Sequence, residues 1–225
     1  MGKQFGILVD IATCIGCKVC MVACKQVNNL EPSNADIPGS QDWIHWINIL
    51  DIGPIGDYPN LQLYHLPINC QHCGNAVCIG ACPKAAISKL ECGVVQIDKN
   101  RCDGCKDDPD YAVKCIQACP FRAFQLNPKT HKAEGCTLCL PLISKGLEPA
   151  CVRACPGGCL TFGNLKDPRS LISKRLKQAA DRAFTFRPEQ GTRPSVWYIA
   201  PEGWNAEQWL SAPVVVGKNQ ILFCR

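Results

Sequence analysis

Long apolar runs are missing from this 225-residue chain, and so is any block of one charge. No stretch approaches the roughly 18 apolar residues of a membrane span, so no direct span is expected. The opening Met1-Gly2-Lys3-Gln4-Phe5-Gly6 lacks an apolar stretch of signal-peptide length, which taken alone points to the cytoplasm. The 24 basic and 19 acidic residues are interspersed, for a formal charge of +5. Without a basic patch, no nucleic-acid partner is expected. The composition also excludes collagen, coiled coil and disorder. No Ser-His-Asp set, catalytic carboxylate pair or phosphate-cradling Gly loop is visible, so no catalytic residue is assigned.

What the chain has in excess is cysteine, 19 residues. A chain of this length does not need disulfides to fold, so that density asks for a chemical reason. Disulfides, zinc sites and iron–sulfur clusters all use it. An odd number and the missing export signal weigh against disulfides.

Position separates the other two. Cys14, Cys17, Cys20 and Cys24 form a first clump; Cys70, Cys73, Cys78 and Cys82 a second. Cys102, Cys105, Cys115 and Cys119 form a third; Cys136, Cys139, Cys151 and Cys155 a fourth. Each begins Cys-x2-Cys and ends Cys-x3-Cys, and the last three end in Cys-Pro. Zinc wants two Cys-x2-Cys knuckles per site, without a recurring third cysteine and a Cys-Pro end. Four sets of four thiols is the count for four [4Fe–4S] cubanes. The closing i, i+4 pair spans one helical turn, about 6 Å, too far to complete one cubane. The last cysteine is therefore expected on a neighbouring cluster.

Gly16 and Gly104 lie inside their Cys-x2-Cys loops, where close approach to a cluster or a positive φ favours glycine; the fourth clump has Thr137-Leu138 there. Short strand signals follow the second and third clumps, at 93–98 and 125–130. The alternation of cluster loop, Cys-Pro and hairpin predicts an α+β fold of two ferredoxin-like two-cluster units related by a pseudo-two-fold repeat. Residues 28–69, rich in Pro and Gly, read as an insertion of loops and edge strands. A basic amphipathic helix is predicted within 164–187, capped at Asp167 with Pro168 just inside, covering the core. The apolar stretch around Val214 and Val215 suggests an added strand or an arm onto a larger subunit. Cys92, Cys159 and Cys224 are read as unligated thiols and His72 as a satisfied loop histidine. Trp43, His45 and Trp46 are read as packing residues as readily as a partner-facing patch. Lys18, Lys25, Lys84 and Lys106 are read as surface lysines before charge partners of a cluster.

The clumps resemble a known family, the four-cluster iron–sulfur subunits of molybdopterin oxidoreductases such as the dimethyl-sulfoxide, polysulfide, tetrathionate and arsenate reductases. The resemblance rests on Cys14-Ile15-Gly16-Cys17, Cys70-Gln71-His72-Cys73, Cys136-Thr137-Leu138-Cys139, Cys151-Val152-Arg153-Ala154-Cys155-Pro156 and the segment Gly191 to Tyr198. It implies that Cys14, Cys17 and Cys20 share a cluster with Cys155, and Cys136, Cys139 and Cys151 with Cys24. It likewise pairs Cys70, Cys73 and Cys78 with Cys119, and Cys102, Cys105 and Cys115 with Cys82. The long gap before Cys115 departs from the family pattern. Residues 1–27 with 131–163 would then form one two-cluster unit and 70–130 the other, with 28–69 inserted and 164–225 a C-terminal helix and partner-binding tail.

The implied function is non-catalytic electron relay in anaerobic respiration. Electrons would pass between a large molybdopterin catalytic subunit carrying Mo or W and a membrane anchor or soluble carrier. The implied location is the cytoplasm, or the periplasmic face of the membrane by co-export with the catalytic subunit. A free-standing polyferredoxin and a zinc-built interaction module are the alternatives.

Overall fold

A computed structural model provides the fold, and the residues it describes are 2–30, 44–107, 113–204 and, as backbone only, 214–215. Trp43, Cys224 and most of the apolar tail lie outside the described residues.

The run Ile7-Leu8-Val9 is buried without alternation in β1 (Phe5–Asp10), because both faces of the strand are covered. Leu8 packs with Ile172, Ala179 and Ile199, whereas Ile7 and Val9 face the larger core that contains the cysteines. A 3-10 turn at Ile11–Thr13 delivers the first cysteine loop, and α1 (Val19–Val27) carries Cys20 and Cys24 on its buried side, one turn apart.

Strands β2 (Ile47–Ile55) and β3 (Gln62–Asn69) pair antiparallel, with Ile47 opposite Asn69 and a bulge between Ile52 and Ile55. Of the stretch read as loops and edge strands, the described residues 47–69 form a framework hairpin with β3 at the sheet edge. Gly53, Pro54, Gly56 and Pro59 gather at the bulge and tip, Pro67 pairs with Ile49 inside the ladder, and Ile47, Ile49, Leu50, Ile52, Leu66 and Ile68 enter the core. Gly53 sits at the bulge with φ +119°, where a Cβ would meet the Gln62 carbonyl oxygen at 2.7 Å.

Helix α2 (Val77–Ala81) leads into the hairpin β4 (Ile87–Lys89) and β5 (Val95–Ile97). Helix α3 (Lys114–Ala118) leads into β6 (Gln125–Leu126) and β7 (Ala133–Glu134). The two helices start alike, with Ala76 at φ −78°, ψ 94° and Val113 at φ −77°, ψ 93°, and they pack against each other. Two single-turn helices follow, α4 (Leu140–Ile143) and α5 (Ala150–Arg153); α5 packs against α1.

The chain then forms β8 (Leu160–Asn164), α6 (Leu171–Ala179), β9 (Ala183–Phe184), β10 (Val196–Ile199) and β11 (Val214–Val215). A four-stranded sheet runs β8-β1-β10-β9, with β8 antiparallel and β10 parallel to β1. The C-terminal segment is therefore more than helix and tail. It supplies two strands of this sheet, and β11 pairs with β2 through Val214 opposite Ile52.

One boundary needs correcting. Helix α6 is capped by Ser170, whose Oγ accepts the Ser173 N–H at 3.3 Å, not by Asp167. Asp167 instead accepts the Arg169 N–H at 2.9 Å in the preceding turn. Both residue types cap well, and Ser170 sits where the apolar period of Ile172, Leu176 and Ala179 begins. The helix covers the sheet through Ile172 and Ala179. Among the described residues no helix is long and apolar enough to cross a membrane.

Candidate metal centres

The four Cys-x2-Cys loops share one backbone feature that composition hides. The residue just before the second cysteine has positive φ in every loop: Gly16 at 67°, His72 at 44°, Gly104 at 72° and Leu138 at 50°. Such a left-handed residue turns successive N–H groups inward, toward anionic sulfur. Glycine adopts it freely, and at Gly104 a Cβ would meet the His131 carbonyl oxygen at 1.9 Å. His72 and Leu138 adopt it at a cost that burial offsets, being 0 % and 1 % exposed. A second shared turn follows three clumps. The N–H groups of Ala85, Arg122 and Gly158 donate to the carbonyls of Cys82, Cys119 and Cys155 at 3.1, 3.0 and 3.2 Å.

These turns gather the thiols into groups. Cys14, Cys17, Cys20 and Cys155 line one small cavity. Cys24, Cys136, Cys139 and Cys151 line a second, and Cys82, Cys102, Cys105 and Cys115 a third. Cys70, Cys73, Cys78 and Cys119 are close enough to influence one another's charge. Each i, i+4 pair, on α1 as Cys20 and Cys24 or running off the end of a helix as Cys78 and Cys82, is therefore split between two groups. Cys115 joins its group despite the long gap before it.

Hydrogen bonds already reach the sulfurs. Main-chain N–H groups of Ala86, Ala133 and Leu138 donate to Cys82, Cys102 and Cys136 Sγ at 3.3, 3.4 and 3.4 Å. The Asn28 and Asn69 amides donate to Cys24 and Cys136 Sγ, both at 3.5 Å. Asn69 also donates to the Cys70 carbonyl at 3.1 Å, so it bridges the second group and the Cys70 group.

Burial pushes the thiols of Cys20, Cys78 and Cys115 up to about 12 and that of Cys136 to about 11. Cys24, Cys70 and Cys151 are raised well above the ordinary thiol range for the same reason. Such thiols keep their protons until a metal displaces them. Cys14 is the exception, held down to about 6 by the Cys159 thiol beside it, against burial.

The donor set fits polynuclear iron–sulfur groups. All described cysteines are free thiols. Among the described residues no three His, Cys, Asp or Glu side chains converge on a single ion; the thiols stand round cavities instead. Buried donors without a protein partner occur at the same places. Trp46 lines the second cavity with its indole Nε1 unpaired. His72 Nδ1 accepts the Val95 N–H at 3.0 Å, which leaves the proton on an unpaired Nε2. Burial brings this imidazole down to about 3, so it is a neutral donor. His72 is thus fully buried and half-satisfied, not the satisfied loop histidine that its place in the sequence suggests.

A strap from the C-terminal segment holds the second clump. The Gly74 and Asn75 N–H groups donate to the Arg193 and Thr192 carbonyls at 2.6 and 2.9 Å. Ser195 N–H donates to the Gln71 carbonyl at 2.8 Å, and its hydroxyl to the His72 carbonyl at 2.8 Å. The lysines divide. Lys84 is paired with Asp103 at 3.0 Å and Asp107 at 3.4 Å, and Lys25 donates to the Ile44 carbonyl at 2.9 Å. Lys89, which the motifs did not flag, donates to the Cys73 carbonyl at 2.8 Å.

Two stretches, residues 13–86 and 61–165, each match a family model described as a 4Fe-4S dicluster domain. The chain is 35 % identical to the B subunit of tetrathionate reductase from Salmonella typhimurium, over 87 % of this chain and 72 % of the relative. It is 33 % identical to the B component of polysulfide reductase from Wolinella succinogenes, over 88 % of this chain and 95 % of the relative. Protein NrfC of Escherichia coli is 33 % identical, over 88 % of this chain and 81 % of the relative.

Proposed function

This chain belongs to the family of 4Fe-4S dicluster proteins that serve as iron–sulfur electron-transfer subunits of reductase complexes, and from that premise we propose that it holds four [4Fe–4S] centres in a row. Cys14, Cys17, Cys20 and Cys155 would hold the first centre, and Cys24, Cys136, Cys139 and Cys151 the second. Cys70, Cys73, Cys78 and Cys119 would hold the third, and Cys82, Cys102, Cys105 and Cys115 the fourth. When bound, each cubane accepts and releases single electrons with little change of shape.

One observation carries the order: shared elements tie neighbouring groups. Helices α1 and α5 link the first and second groups through Cys20 with Cys24 and Cys151 with Cys155. Helices α2 and α3 link the third and fourth through Cys78 with Cys82 and Cys115 with Cys119. Asn69 joins the two pairs between Cys136 and Cys70. Rigid one-turn links hold adjacent sites on the order of 10 Å apart, a spacing suited to electron transfer. The matching starts of α2 and α3 support a pseudo-two-fold relation within this plan.

The first end of the row opens to the surface at Cys17, which is exposed. Around it Ile15 and Val22 are 67 % and 64 % exposed, an apolar rim suited to a protein subunit. We assign that rim to a large catalytic subunit of the molybdopterin class, carrying Mo or W. The fourth group, edged by Lys84, Asp103 and Asp107, would face the membrane anchor or soluble carrier. Export as the folded passenger of the catalytic subunit would put the complex on the periplasmic face of the membrane; otherwise it works in the cytoplasm.

Anaerobic purification tests this. About sixteen irons and sixteen labile sulfides per chain, a reduced-state EPR spectrum of interacting clusters, and co-purification with a large pterin-containing subunit are expected. Far fewer irons would overturn the four-centre reading. A fully loaded monomer with no partner would favour a free-standing polyferredoxin.

A further inference from the structure

The cavity of the first group contains a fifth thiol. Cys159 is 3 % exposed and lines that cavity with Cys14, Cys17, Cys20 and Cys155. Its Sγ lies 3.4 Å from Cys155 Sγ. The turn that follows Cys155 brings it there, and the Asp10 N–H donates to its carbonyl at 2.8 Å, fixing this point against the end of β1. In a thiol pair of this kind either sulfur can donate. Once Cys155 binds iron it has no proton left, so Cys159 becomes the donor.

The position recurs. Cys159 stands four residues after the last cysteine of its clump, and the equivalents are Asn28 after Cys24, Ala86 after Cys82 and Ala123 after Cys119. Asn28 Nδ2 donates to Cys24 Sγ at 3.5 Å. At Ala86 only the main-chain N–H reaches the preceding cysteine. The clumps of the first and second centres thus carry a side-chain donor where the other two carry a methyl group.

We propose that Cys159 is a positioning residue for the first centre, donating its S–H to a ligand thiolate beside it, Cys155 or Cys14, and raising that centre's reduction potential. This deepens the four-centre reading and rests on it. A donor to a ligand sulfur favours the more negative, reduced form, so removing it lowers the potential.

The test uses the whole complex, purified anaerobically with Cys159→Ala and Cys159→Ser, read by iron count and EPR-monitored redox titration. Both variants are expected to keep full iron. Cys159→Ala should weaken reduction of one centre about threefold, or about 30 mV by the one-electron scale of 59 mV per tenfold. Cys159→Ser, which keeps a donor, should restore most of that shift. Cys159→Gly gives the same comparison should the alanine variant load poorly. Unchanged potentials in the apolar variants, or serine and alanine shifting alike, would overturn the proposal. So would loss of about four irons in every variant, since Cys159 would then hold iron itself. A shortfall of iron in the unmodified protein would instead defeat the four-centre reading.

Discussion

The two halves of this molecule hold their cysteines by different means. The clumps of the first and second groups are set into a large sheet. Strand β1 enters the first clump, β8 leaves the fourth and pairs back on β1, and β10 and α6 close the other sides. The middle clumps rest on hairpins of two or three residues per strand. Their shared core of Cys70, Cys78, Ile87, Val95, Val113, Cys115, Phe124 and Ala133 is small, and three of these eight residues are cysteines. The first half can be ordered by hydrophobic burial, whereas the second depends on what its thiols bind. Its stability is therefore coupled to metal loading.

The most damaging single change should fall in the middle half. Gly104→Ala forces a side chain into a left-handed position, and the added Cβ overlaps the His131 main chain, which cannot swing away as a side-chain tip would. The fourth group then cannot close. The expected result is loss of about four of some sixteen irons while the sheet around β1 keeps its hydrogen-exchange protection. Full iron in this variant would mean that the middle loops tolerate far more movement than their geometry implies.

Leu8→Ala probes the other half. Leu8 is 0 % exposed and faces α6, on the side of β1 away from the cysteines. Truncation should cost about 2–5 kcal/mol, seen as a lower melting temperature, with the iron count unchanged. Parallel loss of iron and melting temperature would erase the distinction between the halves.

Sequence spacing was enough to mark the sixteen thiols as four clumps, because their regular intervals are written in the chain itself. It also pointed to the hairpins after the second and third clumps. It was less informative about the scaffold. Residues 28–69 read as loops and edge strands because Gly53, Pro54, Gly56 and Pro59 signal turns, yet the apolar residues that build the β2–β3 hairpin lie on either side of them. The pairing of β10 with β1 joins residues nearly 190 apart, and nothing local announces it. His72 and Leu138 gave no glycine signal for a left-handed turn, because buried packing holds them there instead. Cys159 looked like a bystander for a similar reason. Its distance from Cys155 in the chain is plain, but the turn that brings the two sulfurs together depends on β8 pairing with β1.

The finest difference between the halves is chemical. Asn28 reaches Cys24 Sγ with a side chain, whereas Cys82 and Cys102 receive main-chain donors from Ala86 and Ala133. A main-chain donor stays as long as the fold does, and no substitution other than proline removes it. Asn28→Ala removes one weak, charge-assisted bond worth on the order of 0.5–1 kcal/mol between oxidation states. The second centre's potential should therefore fall by roughly 30 mV, with the other potentials and the iron count unchanged. Asn28 also donates to the Cys24 carbonyl at 2.9 Å, so Asn28→Ser is the control. It keeps a small polar group at the end of α1 but cannot reach the sulfur, and it should shift the potential as alanine does. If serine instead keeps the original potential, then Asn28 acts through the end of α1 rather than through its bond to sulfur.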